Sequence, residues 1–128
     1  MPSRQFHWYP DALAVVKLPP ETPLADLETG TLFSLTRTPT EVSLVVPEAA
    51  VPASATEVSA GWRAFAVVGP LDFSLVGILA ELATALAEAG VSVFAVSTYD
   101  TDLVLVKAGD VERAETALLA IGWTVVAR

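Results

Sequence analysis

The stretch LVGILAELATALAEAGVSVFAV, residues 75–96, decides the fold of the C-terminal part of this chain. It predicts an amphipathic helix over residues 75–89, because a polar or very small residue recurs every third or fourth position, as on one stripe of a helix. These positions are Gly77, Glu81, Thr84 and Glu88. The opposite, buried side is predicted to consist of Leu75, Leu79, Leu82, Ala83 and Leu86. Asp72 or Ser74 can cap the start of the helix, and Gly90 is placed to end it in a left-handed conformation.

Apolar, β-prone segments surround this helix and a second one. Four strands are predicted, at residues 62–68 (WRAFAVV), 91–96 (VSVFAV), 101–107 (TDLVLVK) and 123–127 (WTVVA). A second helix is predicted between Asp110, as its N-cap, and Gly122. Its apolar face is expected to hold Val111, Ala114, Leu118 and Ile121. The resulting order is β-α-β-β-α-β, the ferredoxin-like plan of an α+β domain with a mostly antiparallel sheet.

The N-terminal part reads as a shorter copy of this pattern. Strands are predicted at residues 13–18, 32–36 and 42–46, with one or two helical turns at 24–28. The hairpin FSLTRTPTEVSLVV, residues 33–46, aligns with FAVSTYDTDLVLVK, residues 94–107. We therefore predict an internal repeat with an abbreviated first copy, and two domains at residues 1–60 and 61–128. The alternative is a coincidence between two β-hairpins. Residues 47–61, PEAAVPASATEVSAG, read as the linker.

Composition excludes several classes of function. Fifteen acidic residues against seven basic ones give a net charge of −8, which repels phosphate backbones and argues against nucleic-acid binding. The chain has no cysteine, so disulfides, thiol catalysis and thiolate metal sites are excluded. A single histidine excludes a His-rich metal cluster. We expect no metal and no cofactor.

The chain is expected to be soluble, cytoplasmic and free of the membrane. Its most apolar stretch, residues 75–89, is interrupted by Glu81 and Glu88 and is shorter than the roughly 20 apolar residues that cross a bilayer. The first ten residues, MPSRQFHWYP, are not followed by the apolar run of a secretory signal. His7 has no nucleophile near it and is expected to be a packing or surface residue, while Trp8 and Tyr9 are expected to fasten the N-terminus onto the sheet.

The stretch GPLDFSLVGILAELATALAEAGVSVFAVSTYDTDLVLV, residues 69–106, resembles ACT domains. The resemblance rests on an Asp followed by a Gly and aliphatic residues, on the LAEAGVSV junction at residues 86–93, and on a polar turn after the second strand. Four residues separate Asp72 from Gly77, where the usual module has two. This longer loop and the turn at residues 97–102 look most like the tandem-ACT subfamily that includes the arginine sensors of growth signalling.

ACT domains are small modules that bind amino acids and regulate metabolic enzymes. The resemblance therefore implies a non-catalytic regulatory module, with the ligand at the interface of two ACT-like modules. It also implies a homodimer and a regulated protein as partners. In this interpretation residues 1–60 are an abbreviated ACT-like half and residues 61–128 a complete ACT-like domain.

The loop before the first helix is the first candidate binding site. A strand-to-helix turn leaves the first helical N–H groups unpaired, and a ligand carboxylate can bind there. Asp72 could pair with a ligand ammonium group while the amides of residues 74–76 take the carboxylate, and Gly77 would let the ligand approach closely. The alternative is a simple cap at Asp72 and a packing glycine at Gly77. The candidates are Asp72, Phe73, Ser74, Leu75, Val76 and Gly77.

The second candidate is the turn that follows the second strand, where hydroxyls and carboxylates can satisfy an ammonium or guanidinium group. Its candidate residues are Ser97, Thr98, Tyr99, Asp100 and Thr101. The alternative is a solvated hairpin turn. If the two halves pair with pseudo-symmetry, Thr38 and Thr40 would add polar groups from across the interface. Arg37 would then either clamp a ligand carboxylate or neutralise Glu41.

Three functions remain open. The first is a regulatory module that binds an amino acid. The second is a ligand-free module for homo-oligomerisation or protein interaction, using an apolar sheet edge or helix face. The third is a small enzyme on the same plan, which a cleft holding Asp72, Asp100 and Asp102 in close contact would support. We predict that the chain is not an enzyme, because no nucleophile has a candidate base beside it.

Overall fold

The computed structural model describes residues 4–25, 27, 30–68 and 77–126. Within these residues two helices form, α1 (Ile78–Glu88) and α2 (Val111–Ala120). The strands are β1 (Gln5–Trp8), β2 (Leu13–Leu18), β3 (Ser34–Thr38), β4 (Glu41–Pro47), β5 (Glu57–Val67), β6 (Val93–Ser97), β7 (Asp102–Lys107) and β8 (Thr124–Val125). Short 3-10 turns lie at Glu48–Ala50 and Ala108–Asp110. Neither helix has the length and hydropathy that a membrane span requires.

Two compact units make up the chain. One, called here the C-terminal unit, consists of Met1–Pro10 and Arg63–Arg128. The other, the N-terminal unit, is Asp11–Trp62. The first ten residues thus belong with the C-terminal part of the chain, although they are distant from it in sequence. The division of the chain into two ACT-like modules, at residues 1–60 and 61–128, stays a prediction.

The C-terminal unit confirms the predicted order, with β5, α1, β6, β7, α2 and β8 following one another along the chain. In its sheet β6 pairs with β7, β7 with β5, β5 with β1, and β1 with β8. Strand β1 is an addition to the predicted plan: it lies between β5 and β8, antiparallel to the first and parallel to the second. This strand fastens the N-terminus onto the sheet, as the aromatic residues at its end suggested.

Aromatic rings form the centre of the C-terminal core. Phe6, Trp8 and Phe65 are buried and meet edge to face, with ring centroids 5.2 to 6.3 Å apart. This arrangement is the one that the quadrupoles of aromatic rings favour. The helices cover the rings with aliphatic side chains, of which Ile78, Leu82, Leu86, Ala114 and Leu118 are buried. The predicted apolar side of α1 is confirmed at Leu82 and Leu86, while Leu79 and Ala83 are half-buried. The prediction missed Ile78 and Ala85, which are buried.

The N-terminal caps of both helices, and the C-terminal end of α2, differ from the prediction. The N-cap of α1 is Gly77, at φ 91°, so the predicted caps are wrong; Asp72 and Ser74 themselves lie outside the described residues. Asp110 is the N-cap of α2, but its side chain makes no capping hydrogen bond. Ile121 is 44% exposed instead of buried, because α2 ends one residue earlier and the helical period no longer applies.

The N-terminal unit is an antiparallel sheet in which β3 pairs with β4, β4 with β2, and β2 with the first part of β5. Its core consists of alternate residues of β2 and β4, namely Ala14, Val16, Leu18, Val42, Leu44 and Val46. Such alternation is expected of strands with one buried face. The predicted helical turns at residues 24–28 lie partly outside the described residues, and Leu24, Ala25 and Leu27 are not helical.

The predicted linker at residues 47–61 is wrong at its C-terminal end. Residues 57–61 belong to β5, where Ser59 pairs with Val15 and Val58 with Val16. This segment consists of small, exposed residues and pairs with β2 through backbone hydrogen bonds. Its side chains do not alternate between apolar and polar, so their pattern does not predict a strand. Both aligned hairpins exist, and their second strands start at the aligned residues Glu41 and Asp102. Two residues separate the strands of the first hairpin and four those of the second. The internal repeat stays a prediction.

Candidate functional site

The turn between β6 and β7, residues 97–102 and called here the polar turn, is closed by its own hydrogen bonds. The backbone N–H of Thr98 donates to the carbonyl of Thr101 over 2.7 Å, and the N–H of Thr101 donates to the Thr98 hydroxyl over 3.1 Å. The Ser97 hydroxyl donates to the Asp102 carboxylate over 2.6 Å. The turn is therefore a defined structure in which several candidate polar groups already have partners.

One hydrogen bond fixes the polar turn beside the end of β5. The hydroxyl of Thr101 donates to the backbone carbonyl of Val67 over 2.5 Å. Val67 is the last residue of β5, from which the chain runs to the predicted binding loop before α1. The turn and the end of β5 thus lie at one end of the sheet.

The tip of the polar turn faces solvent. Tyr99 is 81% exposed, and Asp100 is exposed and forms no hydrogen bond or ion pair with the residues that the structure describes. A carboxylate in this situation keeps all of its acceptor positions for a ligand. Of the turn residues, Asp100 is consequently the strongest candidate for binding a cation.

Five of the predicted loop residues, Asp72, Phe73, Ser74, Leu75 and Val76, lie outside the described residues. The sixth, Gly77, is exposed, and no heavy atom of the described residues lies within 4 Å of the position that a Cβ atom would take there. Its φ of 91° is a conformation that side chains with a Cβ atom disfavour. Gly77 therefore combines open space with a backbone that selects glycine.

Thr38 and Thr40 lie in the N-terminal unit at the turn between β3 and β4. The Thr38 hydroxyl accepts hydrogen bonds from the backbone N–H groups of Thr40 and Glu41, both over 3.2 Å. The hydroxyls of Thr38 and Thr40 are also 3.2 Å apart. These groups close their own turn, and Arg37 forms no ion pair with Glu41 among the described residues.

Sequence reasoning missed an open groove in the C-terminal unit, which runs along α1 and has a volume of about 530 Å³. It is lined by Arg4, Gly77, Ala80, Glu81, Thr84, Ala85, Glu88 and Ile121. The α1 residues include the polar stripe on which the helix prediction rested. Periodicity alone could not show that Arg4 and Ile121 complete the walls.

Glu81 holds one end of this groove together. One of its carboxylate oxygens accepts the Nε–H of Arg4 over 2.9 Å and the indole N–H of Trp123 over 2.6 Å, and the other accepts a terminal N–H of Arg4 over 3.2 Å. Hydrogen bonds from Arg4, and then from Trp123, hold the pKa of the Glu81 carboxyl below its ordinary value, against the effect of burial. Glu81 is thus a fixed anion with a fixed cation beside it.

The other end of the groove carries polar groups without partners. Thr84 and Glu88 are exposed and form no hydrogen bond or ion pair with any residue that the structure describes. Because Arg4 neutralises Glu81, the described lining residues leave one unpaired negative charge, at Glu88. In the described ranges no three His, Cys, Asp or Glu residues are grouped so that they could hold a metal ion.

Comparison with solved structures finds the same fold in other proteins. A protein from Agrobacterium tumefaciens, Atu0741, is 26% identical, with a TM-score of 0.88 over 100% of this chain and 96% of that one. VC0802 from Vibrio cholerae, a protein of unknown function described as a possible transport protein, is 22% identical, with a TM-score of 0.70 over 91% of this chain and 88% of that one. The regulatory subunit of aspartate kinase from Thermus thermophilus is 16% identical, with a TM-score of 0.59 over 88% and 93%.

Comparison of the sequence with curated proteins found no match. A family model described as the ACT domain matches residues 57–120. This range begins with β5 and ends with α2, so it includes both helices and the polar turn. Because the model covers half of the sequence, the chain belongs to the ACT domain family.

Proposed function

We propose that this protein is a non-catalytic regulatory module that binds an amino acid. Two findings support the proposal: the chain belongs to the ACT domain family, and one of its structural relatives is the regulatory subunit of aspartate kinase. The observation that carries it in this chain is the hydrogen bond from Thr101 to Val67, because it brings the polar turn beside the strand that leads into the predicted loop.

The two charges of the ligand would be bound by different groups. The first backbone N–H groups of a helix have no partners within the helix, so those at the start of α1 can receive the carboxylate. The amides of residues 74–76 are proposed to contribute as well. Asp72 and Asp100 would pair with the ammonium group by charge-assisted hydrogen bonds. Gly77 would leave the ligand room. Further contacts are proposed for Phe73, Leu75, Ser97, Thr98, Tyr99 and Thr101.

The finer expectations from the family resemblance stay predictions. They are a ligand at an interface of ACT modules, with Thr38 and Thr40 contributing hydroxyls, a relation to the tandem-ACT arginine sensors, and a cytoplasmic location. The double variant Thr38→Val, Thr40→Val tests the hydroxyls in the binding assay below. Unchanged affinity would remove both residues from the proposed site.

The proposal is tested by thermal-shift measurements with each common amino acid, followed by calorimetry of those that bind. A ligand at 100 times its Kd should stabilise the folded protein by about 2.7 kcal/mol. We expect Asp100→Asn to weaken binding at least tenfold, because a charge-assisted hydrogen bond is lost.

Glu112→Gln is the matched control, since it removes the same charge from an exposed position on α2. It should leave the affinity unchanged. Flat melting curves for all amino acids would contradict the proposed function, and wild-type affinity in Asp100→Asn would move the ammonium site elsewhere.

A second candidate function, homo-oligomerisation, is favoured by the outer edge of β6. Among the described strands β6 pairs only with β7, so it is an edge strand of the described sheet. Residues 89–99 contain no charged residue, although the chain has a net charge of −8. Edge strands of monomeric proteins are usually protected by charged residues, prolines or bulges. An uncharged edge lets two equally acidic copies pair.

A further inference from the structure

We propose that the groove along α1 is a second binding site, for a small zwitterion whose ammonium and carboxylate groups stand at opposite ends of an unbranched chain. Unbranched ω-amino carboxylates are the simplest members of this class. Only Gly77 is shared with the proposed amino-acid site, and the inference does not rest on that function. It rests on the charges at the two ends of the groove, their separation and the apolar surface between them.

The carboxylate end of the ligand would meet Arg4. A guanidinium group has five N–H donors, and Glu81 takes two of those of Arg4. The remaining three have no partner among the described residues, and 38% of the side chain is exposed. Trp123 donates a hydrogen bond to Glu81, and Glu81 accepts two from Arg4. The free donors of Arg4 are therefore oriented before a ligand binds. Such preorganisation lowers the entropic cost of binding.

The ammonium end would meet Glu88 and Thr84. Their carboxylate and hydroxyl oxygens accept hydrogen bonds, lie one helical turn apart on one side of α1, and have no partners in the described part of the chain. Since Arg4 pairs with Glu81, Glu88 carries the uncompensated charge among the described lining residues. A cationic group is therefore attracted to this end and not to the other.

The spacing of the two ends selects the ligand. A helix rises about 1.5 Å per residue, so Glu81 and Glu88 are about 10 Å apart along α1. A hydrogen bond of about 3 Å at each end leaves ligand charges separated by roughly 4 to 5 Å. An α-amino acid carries both charges on one carbon atom and is too short to reach both ends. Three methylene groups between the nitrogen and the carboxylate, as in 4-aminobutanoate, match the span.

The middle of the groove suits a chain of methylene groups. The groove is lined here by the small side chains of Ala80 and Ala85 and by Ile121, a residue that is 44% exposed. Covering this surface would remove apolar area from water, which stabilises the complex. The volume of about 530 Å³ also falls within the usual range of small-molecule sites.

The experiment titrates the full chain, labelled with ¹⁵N, with glycine, 4-aminobutanoate, butylamine and butanoate. We expect 4-aminobutanoate to have a Kd at least tenfold lower than those of glycine, butylamine and butanoate. Its amide shift changes should centre on Thr84, Glu88 and Ile121. Equal Kd values for glycine and 4-aminobutanoate, or for butylamine and 4-aminobutanoate, would overturn the proposal.

Variants separate this site from the one proposed above. Glu88→Gln should weaken 4-aminobutanoate binding at least tenfold and leave the fold intact, since Glu88 has no partner among the described residues. Glu112→Gln and Asp100→Asn should bind it like the wild type. Unchanged affinity in Glu88→Gln would overturn the groove site, as would shift changes confined to residues 97–102. The amino-acid screen can succeed or fail independently of either result.

Discussion

At the scale of single residues, Glu81 makes the most consequential contacts. It accepts hydrogen bonds from Arg4, 77 residues away in sequence, and from Trp123, 42 residues away. It thereby joins α1 to the residues that precede β1 and β8. The same carboxylate orients Arg4 in the groove, so its structural role and its proposed binding role are linked.

Glu81→Gln should make stability less dependent on pH. The pKa of Glu81 is lowered in the folded protein, so its ionised form stabilises the fold above the ordinary glutamate value of about 4.3. That contribution is lost as the pH falls through the lower, folded-state pKa. We expect Glu81→Gln to lower the Tm by a few degrees at pH 7, and the difference from the wild type to shrink steadily between pH 5 and pH 3. Thermal melts across this range measure it, and a constant difference would contradict the explanation.

At the scale of elements, each helix is held by one apolar face. Leu118 of α2 is fully buried in the C-terminal core, whereas its neighbour Leu119 is 45% exposed. The same side chain on the same helix therefore has two environments. Burial, and not helix propensity, is expected to decide what each contributes.

Leu118→Ala should lower the free energy of unfolding by about 2 to 5 kcal/mol, because it removes buried methyl groups and leaves a cavity. Leu119→Ala is the matched control and should change it by no more than about 0.5 kcal/mol. Urea denaturation followed by tryptophan fluorescence measures both. Equal losses in the two variants would show that α2 is not held in this way.

At the scale of the whole molecule, the charge balance and the sheet edges decide whether copies associate. Two of the edge strands in the described part of the chain contrast with each other: β3 carries Arg37, and β6 carries no charge. Two copies of a chain with a net charge of −8 repel each other where their acidic surfaces approach. Association through β6 avoids that repulsion.

Ala95→Lys on β6 should raise the dissociation constant of a dimer at least tenfold, because two lysines would meet across the paired edges. Thr36→Lys on β3 is the control: it is also an exposed position on an edge strand, and it should leave association unchanged. Sedimentation velocity over a range of concentrations measures both, with circular dichroism to verify folding. A wild type that stays monomeric at every concentration would eliminate this role of β6.

The candidate sites were predictable to different degrees. The polar turn could be found from its composition, since hydroxyls and carboxylates concentrate in residues 97–102. The bond from Thr101 to Val67, which gives the turn its place, joins residues 34 positions apart and has no signal in either segment. The groove was visible in sequence only as the polar stripe of α1. Its other wall depends on Arg4 and Ile121, which no local pattern connects to that stripe.

The sequence by itself determined the order of strands and helices in the C-terminal unit and the apolar face of each helix. These features depend on side-chain periods of two and about 3.6 residues, which neighbouring residues establish locally. Only the tertiary structure decided that β1 lies between β5 and β8, that β5 begins as early as Glu57, and that Arg4 meets Glu81. Strand pairing and long-range ion pairs satisfy backbone and charged groups wherever the folded chain brings them together, so no local pattern specifies them.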